Sequence, residues 1–177
     1  MIVGVDEAGR GPLAGPVVAA AVALKTYRFK NRIDDSKRLT PKLREIAFLE
    51  IIQKSDFGIG VVSEKLIDEI NILEATRLAM RRAIDSLLRK LNVLDRRLYI
   101  IVDGNMTLDV PFPCTGIVKG DCKSKSIASA SILAKVIRDR IMSGYDRFYP
   151  QYGFLRHKGY PTRAHRDILR KVGPSRI

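Results

Sequence analysis

The chain has 177 residues, of which 46% are hydrophobic, and a formal net charge of +13 from 32 Lys and Arg against 19 Asp and Glu. This length suits one domain with a substantial core, and no apolar run approaches the roughly 20 residues that a membrane-spanning helix needs. The positive surplus predicts a polyanionic partner, either nucleic acid or an anionic membrane face.

The start of the chain and its cysteines predict the compartment. Acidic residues already occur at positions 6 and 7, where a signal peptide would carry its basic and apolar regions. Cys114 and Cys122 lack the spacing of a zinc site, and in a basic chain we expect them to be small packed or half-exposed side chains rather than a disulfide. We therefore expect a cytoplasmic protein.

Two predicted strands, at 2–5 and 17–24, enclose a glycine-rich turn that begins with the adjacent acids Asp6 and Glu7. A strand end entering a plain turn would explain the acids but not the glycines. Three glycines between positions 9 and 15 provide positive φ angles and close backbone approach. Paired acids beside such a turn fit a phosphate that is bound through metal and through exposed backbone N–H groups.

The remaining elements follow from hydrophobic periodicity and from capping and turn residues. They are a helix that begins at Pro41 behind Thr40, a strand at 57–62, a long amphipathic helix at 66–91, a buried strand at 98–102, a short strand at 116–118, a helix with a small-residue inner side at 119–140, and a short basic helix at about 162–172. This order predicts an α/β fold with helices packed on a mixed sheet, and a single domain over residues 1–177.

Two more acids lie where elements meet. Asp103 ends a buried strand, and Asp121 precedes a helix. Each has a structural alternative: a turn aspartate that caps its own backbone, or a helix N-cap. If the strands at 2–5 and 98–102 are parallel neighbours, Asp6 and Asp103 emerge at the same sheet edge. Because consecutive strand residues face opposite ways, Asp6 and Glu7 share that site only if their strand bulges or ends there.

Four carboxylates without Cys or His are hard oxygen ligands that suit Mg²⁺ or Mn²⁺. Acids packed together raise one another's pKa, so a cation is their natural neutraliser. Two ions about 3.5–4 Å apart would activate a water and stabilise the leaving oxygen in phosphodiester hydrolysis.

The sequence resembles bacterial ribonuclease HII, the type 2 RNase H family. The resemblance is carried by VDEAGRGPLAGPVV, DDSKRLTPKLRE, IDEINILEAT, VDGN, KGDCKSKSIASASILAKVIRDR and YGFLRHKGYPT, in this order over most of the chain. It implies an RNase H-like fold, with a mixed five-stranded sheet flanked by helices and a short C-terminal helical segment. It also implies endonucleolytic cleavage of RNA paired with DNA, and nicking 5′ of a single ribonucleotide in duplex DNA. The implied products end in 3′-hydroxyl and 5′-phosphate.

By this resemblance, the catalytic and metal-binding residues are Asp6, Glu7, Asp103 and Asp121. They would hold two Mg²⁺ or Mn²⁺ ions per site when substrate is bound.

The resemblance also implies a set of substrate-binding residues: Gly9, Arg10, Gly11, Ser36, Lys37 and Tyr160. The backbone of the GRG element would contact a ribose 2′-hydroxyl, the group that separates RNA from DNA. The lysine of the DSK element would meet a phosphate. The tyrosine would pack on the nucleotide after the ribonucleotide and sense the RNA-to-DNA junction. Without the resemblance, Lys37 would be interpreted as a solvated lysine and Tyr160 as an ordinary half-buried tyrosine.

We expect a monomer whose partners are RNA–DNA hybrid duplexes and DNA with embedded ribonucleotides, with substrate contacts from about residue 145 to 177. A junction resolvase-like two-metal nuclease on the same fold is an alternative, which the GRG element and Tyr160 disfavour. A non-catalytic nucleic-acid-binding module would explain the charge but not the placement of the acids. Asp139 is near the site in sequence but fits a helix-surface ion pair equally well. His157 and His165 could polarise a phosphate, although structural roles are favoured, so none of the three is assigned to the site.

Overall fold

A computed structural model of the chain describes residues 1–91 and 98–177. The strands within these ranges are β1 (Ile2–Ala8), β2 (Val17–Leu24), β3 (Ser55–Val62), β4 (Tyr99–Asp103) and β5 (Cys114–Ile117). They form one mixed sheet in the order β3–β2–β1–β4–β5. The predicted α/β architecture with a mixed five-stranded sheet is confirmed.

β1 is the central strand, antiparallel to β2 and parallel to β4. The expected parallel pairing of the two buried strands is therefore confirmed. Pairing with β4 ends at Val5, whereas pairing with β2 continues in regular register through Ala8. β1 is thus longer than predicted, because Asp6, Glu7 and Ala8 remain strand residues after the pairing with β4 has ended.

The helices are α1 (Pro41–Lys54), α2 (Glu64–Leu88), α3 (Lys125–Phe148), α4 (Phe154–His157) and α5 (Arg163–Val172). α1 begins as predicted, since the Thr40 side chain accepts a hydrogen bond from the Leu43 amide. The helix predicted at 119–140 is corrected: a 3₁₀ turn, Gly120–Cys122, precedes α3, which then extends to Phe148. None of the helices formed by residues 1–91 and 98–177 has the length and apolar character needed to cross a membrane.

α2 is interrupted near its start, which the hydrophobic periodicity did not predict. Asn71 has φ 68° and ψ 165°, outside the helical region. Its side-chain oxygen accepts hydrogen bonds from the amides of Leu73 and Glu74 at 2.9 and 3.2 Å. Asn71 therefore acts as an internal N-cap from which the helix restarts.

Different helices cover the two faces of the sheet. Val3 and Val5 belong to the core cluster that β1 shares with α2, including Met80. The opposite face packs against α1 and α3. A Cβ at Gly4 would lie 2.2 Å from the carbonyl carbon of Ser126, so α3 lies directly on β1. This close approach positions the start of α3 beside the acids at the end of β1.

Candidate active site

A cavity of about 280 Å³ lies at the edge of the sheet where β4 ends. Its lining consists of Asp6, Glu7, Ala8, Gly9, Arg10, Gly11, Ser36, Lys37, Asp103, Asp121, Ser131, Lys135 and Tyr160. Every predicted catalytic and substrate-binding residue is in this set. A larger cavity of about 830 Å³ lies among the C-terminal helices, but of the residues that the structure describes only two carboxylates line it, Asp146 and Asp167. The smaller cavity is therefore the candidate active site.

Asp6 and Glu7 both line the cavity although β1 neither bulges nor ends at them. The expectation of an irregular strand was wrong: Asp6 pairs with Ala20 and Glu7 with Ala19 in regular register. Because β4 pairs no further than Val5, the edge of β1 beyond Val5 is open on that side. Consecutive residues of opposite orientation can therefore reach the same cavity.

Asp6 is the most enclosed of the acids, with 6% of its surface exposed. Burial and the nearby charges of Glu7 and Asp103 raise its pKa well above the usual range. Hydrogen bonds from the Ser131 side chain and from the Glu7 amide, which lies 2.7 Å from Oδ1, oppose this rise. These hydrogen bonds hold the carboxylate in place but do not neutralise its negative charge.

Asp103 ties the end of β4 to the 3₁₀ turn. Its Oδ1 accepts a hydrogen bond from the Gly120 amide at 2.7 Å and a longer one from the Asp121 amide at 3.4 Å. Asp103 therefore binds backbone amides of another turn, and the alternative in which it caps its own turn is not observed. This contact brings Asp121, which follows β5 in the chain, next to the carboxylate that ends β4.

Asp121 lies in the 3₁₀ turn and is not the N-cap of α3, since Ser124 occupies that position. Its Oδ1 accepts a hydrogen bond from the Cys122 amide at 2.9 Å. Burial raises the pKa of Asp121, and the charges of Asp103 and Asp35 raise it further. The N-cap alternative thus fails, and the carboxylate faces other acids.

The donor set fits a divalent cation. Carboxylate oxygens are hard ligands, and a cation would offset the burial and the mutual repulsion that together raise the pKa values of Asp6 and Asp121. Ligand atoms of Asp35, Asp121 and Cys122 also lie within 4.8 Å of one another. Asp35 was not predicted, although it stands directly before Ser36 in the DSK element.

The GRG turn and Tyr160 lie next to each other across the cavity. A Cβ at Gly11 would lie 3.9 Å from Cε1 of Tyr160. Nη1 of Arg10 lies 3.4 Å from Oε1 of Glu7, which connects the turn to the acids. Nζ of Lys135 lies 5.2 Å from the centre of the Tyr160 ring, within cation–π distance.

The DSK element is joined to α3 through two hydroxyl groups. Ser36 Oγ lies 3.0 Å from Ser131 Oγ, and the Ser131 side chain also bonds to Asp6. Ser131 and Lys135 were not predicted, although their four-residue spacing on one helix face could have indicated them. Whether these two side chains reach the cavity depends on which face of α3 packs on the sheet, and the sequence does not give this.

Asp139 is one of the residues that the sequence left unassigned. Its carboxylate lies 2.7 Å from Nζ of Lys135 and 3.4 Å from Nη1 of Arg44. Arg44 also donates to the carbonyl oxygens of Ser36 and Leu39 at 2.9 and 3.0 Å. Asp139 therefore supports the DSK element through Arg44 rather than forming an isolated surface pair.

The fold has close solved relatives. It superposes on the ribonuclease H2 from Pyrococcus horikoshii with a TM-score of 0.71 at 28% identity, covering 98% of this chain and 89% of that one. This likeness, the order of the mixed sheet and the carboxylates in the cavity together indicate a metal-dependent nuclease with an RNase H-like fold.

The sequence comparisons identify the family within this class. The profile described as Ribonuclease HII matches residues 3–176. The ribonuclease HII of Syntrophotalea carbinolica is 48% identical over 174 residues, 98% of this chain and 80% of that protein. That of Caldanaerobacter subterraneus is 51% identical over 178 residues, 99% of this chain and 71% of that protein. The chain belongs to the ribonuclease HII family of metal-dependent endoribonucleases, which act on RNA–DNA hybrids.

Proposed function

We propose that this endoribonuclease, besides hydrolysing the RNA strand of hybrids, nicks duplex DNA on the 5′ side of a single embedded ribonucleotide. The observation that carries the proposal is the sharing of one cavity by the acids, the GRG turn and Tyr160. Acids alone would support phosphodiester hydrolysis in general. A backbone turn beside an aromatic ring adds a means of recognising one sugar and the nucleotide after it.

The four carboxylates would hold the metal. Asp6 and Asp103 project from neighbouring strands and would anchor it, and Glu7 and Asp121 would complete the ligand set. Two divalent ions, Mg²⁺ or Mn²⁺, would supply an activated water and stabilisation of the leaving oxygen, so that the products end in 3′-hydroxyl and 5′-phosphate. The Ser131 hydroxyl would keep the Asp6 carboxylate oriented.

The substrate residues would select the phosphate. The backbone of the turn from Gly9 to Gly11 would contact the ribose 2′-hydroxyl, and Tyr160 would pack on the next nucleotide. Ser36 would position the DSK loop through its bond to Ser131, and Lys37 would meet a phosphate near the acids. Arg10 would keep the turn close to Glu7.

Basic residues outside the cavity would bind the duplex backbone. The net charge of +13 and the basic helix α5 within the 145–177 segment support this assignment. Backbone contacts of this kind imply that affinity falls as salt rises. The single domain over 1–177, the monomeric state and the cytoplasmic location stay predictions.

The test uses a labelled DNA duplex with one ribonucleotide, an all-DNA duplex as control, and reactions with Mg²⁺, Mn²⁺ or EDTA. We expect one metal-dependent nick on the 5′ side of the ribonucleotide and none in the control. The D103N variant should bind the duplex but not cut it. Cleavage of all-DNA junctions would favour a resolvase-like nuclease, and binding without cleavage would favour a non-catalytic module.

A further inference from the structure

Arg138 is a charged side chain buried in the middle of α3, with 0% of its surface exposed. Its Nε donates to the carbonyl oxygen of Pro16 at 2.9 Å, Nη1 to that of Lys158 at 2.9 Å, and Nη2 to that of Ala14 at 3.0 Å. All three acceptors are uncharged main-chain groups. Burial lowers the pKa of Arg138, as expected for a cation taken out of water.

The carbonyl groups belong to two loops that reach the cavity. Ala14 and Pro16 follow the GRG turn, and Lys158 comes two residues before Tyr160. The loops also contact each other, since the Leu13 amide donates to the carbonyl oxygen of Gly159 at 2.9 Å. The guanidinium group therefore joins two segments that lie far apart in the sequence.

The two loops pack closely on the Arg138 guanidinium and on each other. A Cβ at Gly9 would lie 2.7 Å from Nε of Arg138, and a Cβ at Gly159 would lie 2.4 Å from the carbonyl oxygen of Ala14. The guanidinium carbon lies 5.8 Å from the centre of the Tyr160 ring. The first glycine of the GRG turn and the tyrosine ring thus share one buried neighbour.

We propose that Arg138 is a positioning residue that fixes the spacing between the GRG turn and Tyr160, so that the 2′-hydroxyl and the following nucleotide are engaged together. The inference rests on the proposed function, because it requires both elements to contact substrate. A planar guanidinium directs its N–H groups to several acceptors at once, whereas a lysine has one nitrogen. Without the guanidinium, the two loops would lose this shared anchor and would be held to each other less tightly, through contacts such as the Leu13–Gly159 hydrogen bond.

The test compares the variants R138K and R138M with R140K, a control on the same helix. Arg140 forms an exposed ion pair with Glu45 at 2.7 Å and lies outside the cavity lining. Steady-state kinetics would be measured on a duplex with one ribonucleotide and on a long RNA–DNA hybrid. Within the hybrid every position of the RNA strand carries a 2′-hydroxyl and no RNA-to-DNA junction has to be matched, so its cleavage depends less on the spacing between the turn and the tyrosine.

For R138K we expect kcat on the single-ribonucleotide duplex to fall by about ten- to a hundredfold, because a shift near 1 Å has effects of that size. KM should change much less, and activity on the hybrid should fall less, so the ratio of the two activities drops. Amide hydrogen exchange at Leu13 should be faster, with exchange in α2 unchanged. R140K should match the wild type in all measurements.

An equal loss on both substrates, with Leu13 exchange unchanged, would overturn the proposal. So would the failure of both Arg138 variants to fold, because Arg138 would then be a folding residue. If R138M alone is unfolded, R138K decides the question. Failure of the proposed function is distinguishable, because the wild-type protein itself would then leave the single-ribonucleotide duplex uncut.

Discussion

His157 and His165 stack face to face, with ring centroids 4.3 Å apart and ring planes 16° from parallel. Nε2 of His157 lies 2.7 Å from the carbonyl oxygen of Tyr152, and its Nδ1 accepts from the Gly159 amide at 3.2 Å. Nδ1 of His165 lies 3.0 Å from the carbonyl oxygen of Tyr160. A carbonyl oxygen only accepts, so Nε2 of His157 carries the proton. The two histidines therefore hold the backbone on both sides of Gly159 and Tyr160.

Stability should fall in mild acid because of His157. Burial lowers the pKa of His157 below its usual 6.5, and the neighbouring His165 lowers it further. At this histidine the unfolded chain then binds more protons than the folded chain as pH falls below about 6.5, so the contribution of His157 to the free energy of unfolding decreases there and is level above. Urea unfolding between about pH 8 and pH 5.5 measures this. H157Q should reduce the dependence of the unfolding free energy on pH in this range. An unchanged dependence would contradict its attribution to His157.

Glu50 on α1 should control stability in stronger acid. Its carboxylate accepts from the amides of Lys30 and Asn31 at 2.8 and 2.9 Å and from Nζ of Lys54 at 2.6 Å. Burial would raise its pKa, but these bonds outweigh burial and lower the pKa from 4.5 to about 2. The stabilisation is therefore complete above about pH 4.5 and is lost as pH falls towards 2.

E50Q should lose about 1.5–3 kcal/mol of unfolding free energy at neutral pH, the usual range for hydrogen bonds to a charged group. The matched control is E45Q on the same helix, whose partner Arg140 is exposed. E45Q should change stability by less than about 0.5 kcal/mol. Equal losses of unfolding free energy for the two variants in urea titrations would show that the hydrogen bonds to Glu50 contribute no more stability than the exposed ion pair of Glu45.

The sequence was sufficient to predict the sheet and its acidic edge. Apolar runs followed by Asp6 and Asp103 predict two strands, and parallel pairing brings their ends together. Strand periodicity could not reveal that β1 outlasts β4, since this depends on the length of a neighbour. It therefore required a bulge or a strand end at Asp6 and Glu7, where the structure has regular pairing through Ala8.

Contacts between distant segments were beyond sequence reasoning. Ser36 and Ser131 are 95 positions apart, and their contact depends on how α3 packs on β1. Arg138 looked like any basic residue of an amphipathic helix, because nothing local indicates that loops cover it. Asn71 was similarly hidden, since an asparagine within a helical pattern gives no sign of a positive φ.

Asp6 should weaken the metal-free fold while serving the reaction. Its pKa is raised in the folded state, so ionising the carboxylate costs more free energy in the folded chain than in the unfolded chain, and the fold is weakened at neutral pH. In EDTA, D6N should therefore be more stable than the wild type by about 1 kcal/mol. Cleavage should fall on the order of a thousandfold. Urea unfolding in EDTA and with Mn²⁺ measures the stability, and a cleavage assay with Mn²⁺ measures the activity. Added metal should stabilise the wild type more than D6N, and a D6N protein less stable than the wild type in EDTA would refute the argument.

Gly9 and Gly11 offer a matched pair for the role of the GRG turn. Gly9 has φ +116°, and a Cβ there would lie 2.5 Å from the carbonyl oxygen of Pro16, so G9A should lose about 2 kcal/mol of stability. Among the described residues, the one atom within 4 Å of a Cβ at Gly11 is Cε1 of Tyr160, at 3.9 Å, so G11A should fold normally. Its methyl group would nevertheless stand between the turn and the ring, where the ribose is proposed to bind. Activity should then fall at least about tenfold on RNA-containing substrates at unchanged thermal stability. Full activity in a folded G11A protein would mean that the ribose does not approach the turn at this point.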